Sequence, residues 1–472
     1  MTTLRFVLVA LLVCLFPFHV GAGEESGTLR ISTFNVNVTP PLGSPVLVAP
    51  VRKVEDPLFA RGIVLLGGGK PIVLCAVDWV GISNDGHLVF RESLAQAART
   101  TVDRVAVHAL HQHDGPRCDF RAEELLQQYG DGGEWFDVAF LRDAIARTAA
   151  AVAESIPKAV EVTHIGVGKA IVEKVASNRR ILSEDGQRVV LERLSRAAGN
   201  PAMRDAPEGV IDPELKSVSF WNEEVPLASL TYYATHPQSY YGNGDVTSDF
   251  IGLARATREK SLPNVAHIHF NGAGGNIAAG KYNDGSHQAR VDLTARVADA
   301  MKRAWDSTKK KRISTGEIEW RVEKVFLPVA ERLQIDQLHE SMKSLKKEEL
   351  RRVYDAMAIG WVERAESNGV PTELSCLRLG DVFLLQLPGE LFVEYQLAAQ
   401  KMRPQETVCV AAYGDYAPLY IGTEIAYSQG GFEITAGYTN VSPAVEKVLL
   451  DGMHRLLNGN SDLPPTPARG SG

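Results

Sequence analysis

LHQHDGP, residues 110–116, closes a run in which Val105 and Val107 alternate with other side chains. Such a run reads as a β-strand, and residues two apart on extended backbone share a face. His111 and His113 therefore aim two imidazoles the same way, and Gly115-Pro116 turns the chain behind them. Two clustered imidazoles at a strand end point to a metal or a proton-transfer site. The plainer alternative is a surface loop that holds two histidines. Four later segments weigh against it by repeating the same order, an apolar strand followed by polar or glycine-rich residues.

In the first of these, the apolar run 227–234 ends in His236-Pro237. Pro237 keeps His236 out of helical backbone and leaves it at the mouth of the strand, as a ligand or as a structural histidine. Downstream, Ser248 or Asp249 reads as a helix cap. In the second, HFNGAGGNI (269–277), a strand enters a glycine-rich turn whose N–H groups can approach an oxyanion, or which is simply a tight turn. Lys281, Asn283 and Asp284 follow, as a plain polar loop or as groups that hold a substrate or a second cation. The third, LQLPGE (385–390), delivers Glu390 after a Pro-Gly turn, as a ligand, a general base or a helix cap. The fourth, 414–433, holds Tyr416, Tyr420, Tyr427, Glu424 and Glu433. Together His111, His113, His236 and Glu390 form a histidine–carboxylate set without thiolates, which suits catalytic zinc with an open water position.

The frame around these segments is mixed. Strand-like runs cover 29–35, 62–66, 72–78, 104–110, 160–167, 218–221, 227–234, 265–270, 374–378, 382–387 and 407–412. Helical periodicity appears near 85–100, 136–156, 288–306, 334–366, 392–401 and 441–457. The two interleave without strict βαβ alternation. This predicts an α/β (mixed α+β) chain with one large catalytic domain, packed mixed sheets flanked by helices, and the site at the C-terminal ends of strands. No internal repeat is apparent. The charge-dense segment 334–366 reads as an exposed helical insertion, and Lys309-Lys310-Lys311-Arg312 as a solvated connector.

With 472 residues, 45% apolar content and a net charge of −7, the chain has material for a large core and lacks the basic stripe of a nucleic-acid binder. Arg5, the apolar run 6–20 and Val20-Gly21-Ala22 read as a signal peptide over 1–22, which predicts a secreted or periplasmic protein. No segment is long enough to span a membrane. Residues 23–458 form the expected domain, and 459–472 a disordered tail. Cys75, Cys118, Cys376 and Cys409 form no CxxC, and a Cys376–Cys409 disulfide is one option in an oxidising compartment.

The motifs resemble those of the neutral/alkaline (non-lysosomal) ceramidase family over about residues 30–457. Asn35-Val36-Asn37-Val38-Thr39-Pro40-Pro41-Leu42-Gly43 is similar to the family's V-D-I-T-P-P-x-G, and 110–116 to its T-H-T-H-S-G-P. Asn178-Arg179, Ser248-Asp249-Phe250-Ile251-Gly252, Pro388-Gly389-Glu390 and Tyr420…Tyr427…Phe432-Glu433 match further motifs, the last with spacings of seven and thirteen residues kept. The resemblance implies Zn²⁺ on His111, His236, Glu390 and Tyr420. It implies His113 beside the scissile amide and Arg179 near the substrate. Tyr427, or the backbone of the Gly272–Gly275 turn, then stabilises the oxyanion. The implied activity is hydrolysis of a ceramide-like or other N-acyl amide by zinc-activated water, a role in sphingolipid metabolism compatible with peripheral membrane contact.

Three departures qualify the match. Ala278 stands where the family's turn carries a serine, which leaves no serine nucleophile there. Phe432 replaces a tyrosine, and the chain stops short of the family's C-terminal immunoglobulin-like domain. Two other readings use the same residues: a zinc hydrolase of a non-lipid amide or ester such as an N-acetyl sugar, and a catalytically silent binding protein.

Overall fold

A computed structural model describes residues 28–346, 349–367, 369–435 and 437–459. The expected leader, 1–22, and the tail from 460 lie outside the described residues. The described strands fall into three principal sheets. The first contains β1 (Arg30–Asn37), β2 (Phe59–Leu66), β3 (Ile72–Val77), β4 (Val105–Ala109) and β5 (Val160–Glu161), in the order β4-β3-β2-β1-β5. The second contains β6 (His164–Ile171), β7 (Glu214–Asn222), β8 (Val225–Tyr233), β9 (Ala266–Asn271) and β10 (Lys309–Arg312), in the order β9-β8-β7-β6-β10. Later in the chain come β11 (Ile318–Val325), β12 (Thr372–Leu379), β13 (Val382–Gln386), the short β14 (Glu390–Leu391), β15 (Thr407–Ala411) and the short β16 (Tyr420–Ile421). Of these, β11-β12-β13-β15 make the third sheet, and β14 pairs with β16.

One topology recurs three times. In each sheet three antiparallel strands are followed by a helix, and a fourth strand returns parallel to the third. The crossover helices include α1 (Asn84–Ala98) between β3 and β4 and α4 (Asp249–Ser261) between β8 and β9. Between them in sequence lie α2 (Phe120–Gln128) and α3 (Val138–Ser155). Later come α5 (His287–Asp306), α6 (Ile335–Ser344), α7 (Leu350–Val362), α8 (Val393–Met402), which joins β13 to β15, and α9 (Val445–Asn458). A parallel pair needs such a crossover, and its strands are covered on both faces. Hence β3, IVLCAV, is buried along its length.

The three returning strands meet at their C-terminal ends. Ala109 N–H donates to Tyr413 O over 2.8 Å, Ala412 N–H to Asn271 O over 2.9 Å, and Asn271 Nδ2 to Leu110 O over 3.2 Å. This junction forms the floor of the site. The mixed α/β architecture expected from the sequence is what the chain adopts, and the recurrence, which the sequence does not display, is added to it.

Three further expectations change. Lys309–Arg312 is not a connector: it is an edge strand paired with β6, where lysines discourage further strand addition. The segment 334–366 is only partly exposed. In α7 the side chains from Ala356 to Val362 are buried, Asn84 Nδ2 donates to Met357 O, and Trp361 Nε1 donates to Asn440 O. Cys376 and Cys409 are free and sit on β12 and β15, which flank β13. Two strand spacings of ~4.8 Å exceed the ~7 Å Cα limit for a disulfide. Among the described residues no helix is long and apolar enough to cross a membrane.

One buried ion pair ties the first unit to the second. Asp78, just past β3, accepts from Arg255 Nη1 over 2.8 Å and Nη2 over 2.6 Å, with both side chains at most 3% exposed. Arg255→Ala leaves that carboxylate buried without its ion-pair partner, with the Phe59 N–H still donating to it over 2.9 Å. Urea unfolding is expected to report a loss of about 3–5 kcal/mol.

Candidate metal centre

His111 and His236 arrive just beyond strands, and Glu390 and Tyr420 open the short strands β14 and β16. His111 is two residues past β4 with φ +68°, and Tyr413 is two residues past β15 with φ +60°. Left-handed backbone is costly for residues with a side chain and persists where the surroundings enforce it. Here the two rings stack, 4.6 Å apart and 20° from parallel. His236 follows β8. Glu390 lies after the Pro388-Gly389 turn, paired in register with Tyr420 across the β14–β16 ladder. Gly389 takes φ +60° at that turn, where a side chain would also strike Leu419 O.

The geometry fixes the tautomers. His111 Nδ1 lies 2.7 Å from Val80 O, and His236 Nδ1 lies 2.7 Å from Gly274 O and 2.9 Å from Ile277 O. Carbonyls only accept, so both Nδ1 atoms carry the hydrogen and both Nε2 atoms present lone pairs. Those lone pairs face one carboxylate oxygen: Glu390 Oε2 is 3.1 Å from His111 Nε2 and 3.0 Å from His236 Nε2. The Tyr420 hydroxyl is 3.4 Å from His236 Nε2, and His113 Nε2 is 3.3 Å from His111 Nε2. The Tyr420 hydroxyl can donate, but the His111 and His236 lone pairs and the Glu390 oxygen repel one another at this range unless positive charge sits among them. Ring nitrogens of His111, His113 and His236 also lie within 4.8 Å of one another and can hold a metal ion. The donor set, imidazole nitrogens with a carboxylate and a phenol, fits a divalent cation such as zinc, and backbone carbonyls orient the rings as metal sites require.

Electrostatics follow from burial. Burial pushes the His113 imidazolium far below its ordinary range, helped by His111 and His236, so the ring is neutral. Burial lowers His236 as well, although Glu390 opposes it. Burial works to raise the Glu390 carboxyl, and positive charge on or between His111 and His236 holds it well below the usual carboxylate range. The Tyr420 phenol is raised by burial, against the pull of Arg179. Arg179 Nη1 donates to the Tyr420 hydroxyl over 2.9 Å, and Arg179 Nε lies 3.3 Å from Glu433.

The structure thus gathers His111, His113, His236, Glu390, Tyr420 and Arg179, and leaves Tyr427 outside. The Tyr427 hydroxyl donates to Val441 O over 3.2 Å and lies 3.3 Å from Thr439 Oγ1, away from the cluster. A second phenol, beside Tyr420, joins the cluster: Tyr416 donates to Glu390 Oε1 over 2.6 Å. The Gly272–Gly275 turn also departs from expectation. The N–H groups of Gly272, Ala273 and Gly275 already donate to Tyr233 O, Gln396 Oε1 and Leu391 O. The turn serves through its carbonyls, which orient His236 and Arg179. Its glycines are needed for space: a Cβ on Gly275 would lie 2.3 Å from Glu390 O.

Asp249, Lys281 and Asn283 are structural. Asp249 accepts from Ser239 N–H, Lys281 Nζ reaches Ala206 O, and Asn283 Nδ2 donates to Ser195 O and Ser239 O. A residue the sequence reading passed over is Gln238, whose carboxamide nitrogen is 2.6 and 2.9 Å from the two ring nitrogens of His113. Its signal was available: it follows His236 by two residues, as His113 follows His111.

No family model matches the chain, and no curated protein matches it in sequence. Solved structures do match in shape. A ceramidase described as complexed with C2 superposes with a TM-score of 0.65 at 14% identity, covering 93% of this chain and 77% of that one. The neutral ceramidase of Pseudomonas aeruginosa superposes with a TM-score of 0.62 at 15% identity, covering 91% of this chain and 74% of that one. At this identity the likeness is one of architecture: the chain has the fold of these ceramidases.

Proposed function

We propose that this chain is a zinc-dependent amide hydrolase of the neutral ceramidase kind, exported behind the leader-like residues 1–22, with 23–458 as its catalytic domain. The carrying observation is the convergence of His111 and His236 Nε2 on Glu390 Oε2 at 3.1 and 3.0 Å, with both Nδ1 atoms held by carbonyls. His111, His236, Glu390 and Tyr420 would hold the ion. Bound there, it supplies a Lewis acid that brings the pKa of a water toward ~7 and polarises a carbonyl.

The chain's own residues do the rest. Tyr416 fixes one Glu390 oxygen and leaves the other to the cluster. Arg179, held charged by Tyr420 and Glu433 against the cost of burial, keeps the Tyr420 oxygen in place and favours its ionised form. His113 is neutral, borders the same cavity, and takes the proton that the attacking water releases and passes it to the leaving nitrogen. The substrate is an N-acyl amide.

Incubation with 1,10-phenanthroline followed by dialysis is expected to abolish hydrolysis of N-acyl amides, and added Zn²⁺ to restore it. Full activity in the chelated, metal-free protein would overturn the proposal.

A further inference from the structure

The strands that lead to the metal centre have a second end. Where β13 and β15 begin, away from Glu390 and Tyr413, a half-open cleft of about 700 Å³ lies between the second and third sheets. One wall is the edge of the second sheet. Side chains two apart on a strand share a face, so Ile165, Val167 and Lys169 of β6 stand beside Lys309 and Lys311 of β10. In that register Lys309 is opposite Val167 and Lys311 opposite Ile165. Lys310 turns the other way, 4.9 Å over the Trp221 ring. The other wall is the β12–β13 turn with Arg378, Asp381 and Phe383, joined by Arg403 and Glu406 from the link between α8 and β15.

The walls are held by contacts within the protein. Gly380 takes φ +62° in the turn, its N–H donates to Glu317 O over 2.9 Å, and its carbonyl accepts from Arg378 Nε over 2.9 Å. Thr407 N–H donates to Asp381 O over 3.1 Å. On the facing wall Lys169 N–H donates to Ser307 Oγ over 3.1 Å. A cleft formed in advance spares a ligand the cost of ordering it.

Charge in the cleft is uneven. Six cations line it, Lys169, Lys309, Lys311, Arg312, Arg378 and Arg403, against three carboxylates, Glu317, Asp381 and Glu406. The carboxylates are already engaged. Glu317 accepts from Ser314 N–H over 2.9 Å and from its hydroxyl over 2.8 Å, Asp381 pairs with Lys311, and Glu406 lies 3.4 Å from Arg403. Arg312 pairs with Glu223 at 3.1 Å. Three cations are left under-compensated. Lys169 lies 3.4 Å from Glu214, which Lys216 holds at 3.1 Å. Arg378 lies 3.8 Å from Glu319, which Arg321 holds at 2.6 Å. The Lys309 ammonium has no carboxylate partner among the described residues.

Guarding a sheet edge accounts for lysines on β10. It does not account for Arg378 and Arg403, which come from the opposite wall and lie 5.8 and 4.8 Å from the centre of the Phe383 ring. Between the charges the lining is apolar, with Val167 and Ile313 half-buried above the buried Ile165, Val382 and Phe383. Covering that surface is favourable, and so is placing negative charge beside Lys169, Lys309 and Arg378. A solute that does both carries an anionic head on an apolar tail.

We infer that this cleft, at the far end of the strands from the metal centre, is a binding site for an amphipathic anion, a carboxylate or phosphate on an apolar tail, independently of the hydrolase reading.

The test is calorimetric titration with decanoate and with decyl phosphate, both below the concentrations at which they form micelles, against acetate and the uncharged decyl glucoside. Each decyl anion is expected to bind about tenfold or more tightly than either control, and added salt to weaken it. The tighter of the two anions names the head group. Lys309→Glu combined with Arg378→Glu should weaken binding about tenfold or more with the thermal melt retained. Lys309→Ala alone, at an exposed side chain, should weaken it about threefold. His236→Ala should bind the anions as wild type does, because its change lies in the metal centre. Absence of binding by both anions, equal binding of decyl glucoside, undiminished binding in the Lys309 variants, or loss of binding in His236→Ala would overturn the cleft site and leave the hydrolase reading untouched.

Discussion

His236→Ala is expected to lose bound metal and hydrolytic activity together. His236 is fully buried, its Nδ1–H is held by two carbonyls, and its Nε2 faces Glu390 Oε2. Nothing in that arrangement serves packing alone. Removing the ring takes away one of the imidazole donors and leaves Glu390 less compensated. kcat/KM should drop by about 10³-fold or more, the scale of losing a main source of transition-state stabilisation. His111→Ala should behave alike. Both variants need a thermal melt beside the assay, because a melt close to wild type assigns the loss to the site and not to the fold. Full activity with full metal content in His236→Ala would remove it from the ligand set.

The second large effect separates ligand from proton carrier. His113 stands 3.3 Å from His111 and can be counted with His111 and His236 as a third metal-binding imidazole. Its other contacts differ in kind. Among the described residues no backbone carbonyl holds its Nδ1; the Gln238 carboxamide and the Tyr241 ring hold the imidazole instead. It also remains at the edge of the cavity. His113→Ala is therefore expected to keep its metal and to slow hydrolysis by about 10²–10⁴-fold. Loss of the metal in this variant would make His113 a ligand and require another proton carrier.

The legibility of the fold divides along physical lines. Strands β3, β4, β8, β9, β13 and β15 were readable because apolar residues enriched in Val, Ile and Leu form compact runs that Gly, Pro and Asn bound. His111, His236 and Glu390 were readable for the same reason, since each follows such a run or a Pro-Gly turn, whereas Arg179 and Tyr420 were singled out by the motif resemblance. The recurrence of one topology in three sheets was not, because strand order and direction do not depend on which apolar residues fill them. The buried face of α7 was masked by the charged residues before it, Lys346 to Arg352, although Val353–Val362 is mostly apolar.

Within the site, residue type was legible and partnership was not. A tyrosine-rich segment announces phenols near the cluster, but only the register Glu390–Tyr420 and the loop before it bring Tyr416 to Glu390 and send Tyr427 to Val441 O. A glycine-rich turn announces close approach of backbone. Whether its N–H groups are free depends on partners far along the chain, here Leu391 and Gln396.

The most direct test of the central claim is metal analysis of the purified chain, by mass spectrometry of the metal and by calorimetric titration with Zn²⁺. About one divalent ion per chain is expected, bound in competition with protons because the imidazoles must be neutral to bind it. A wild-type protein that carries no metal and takes up none on titration would contradict it.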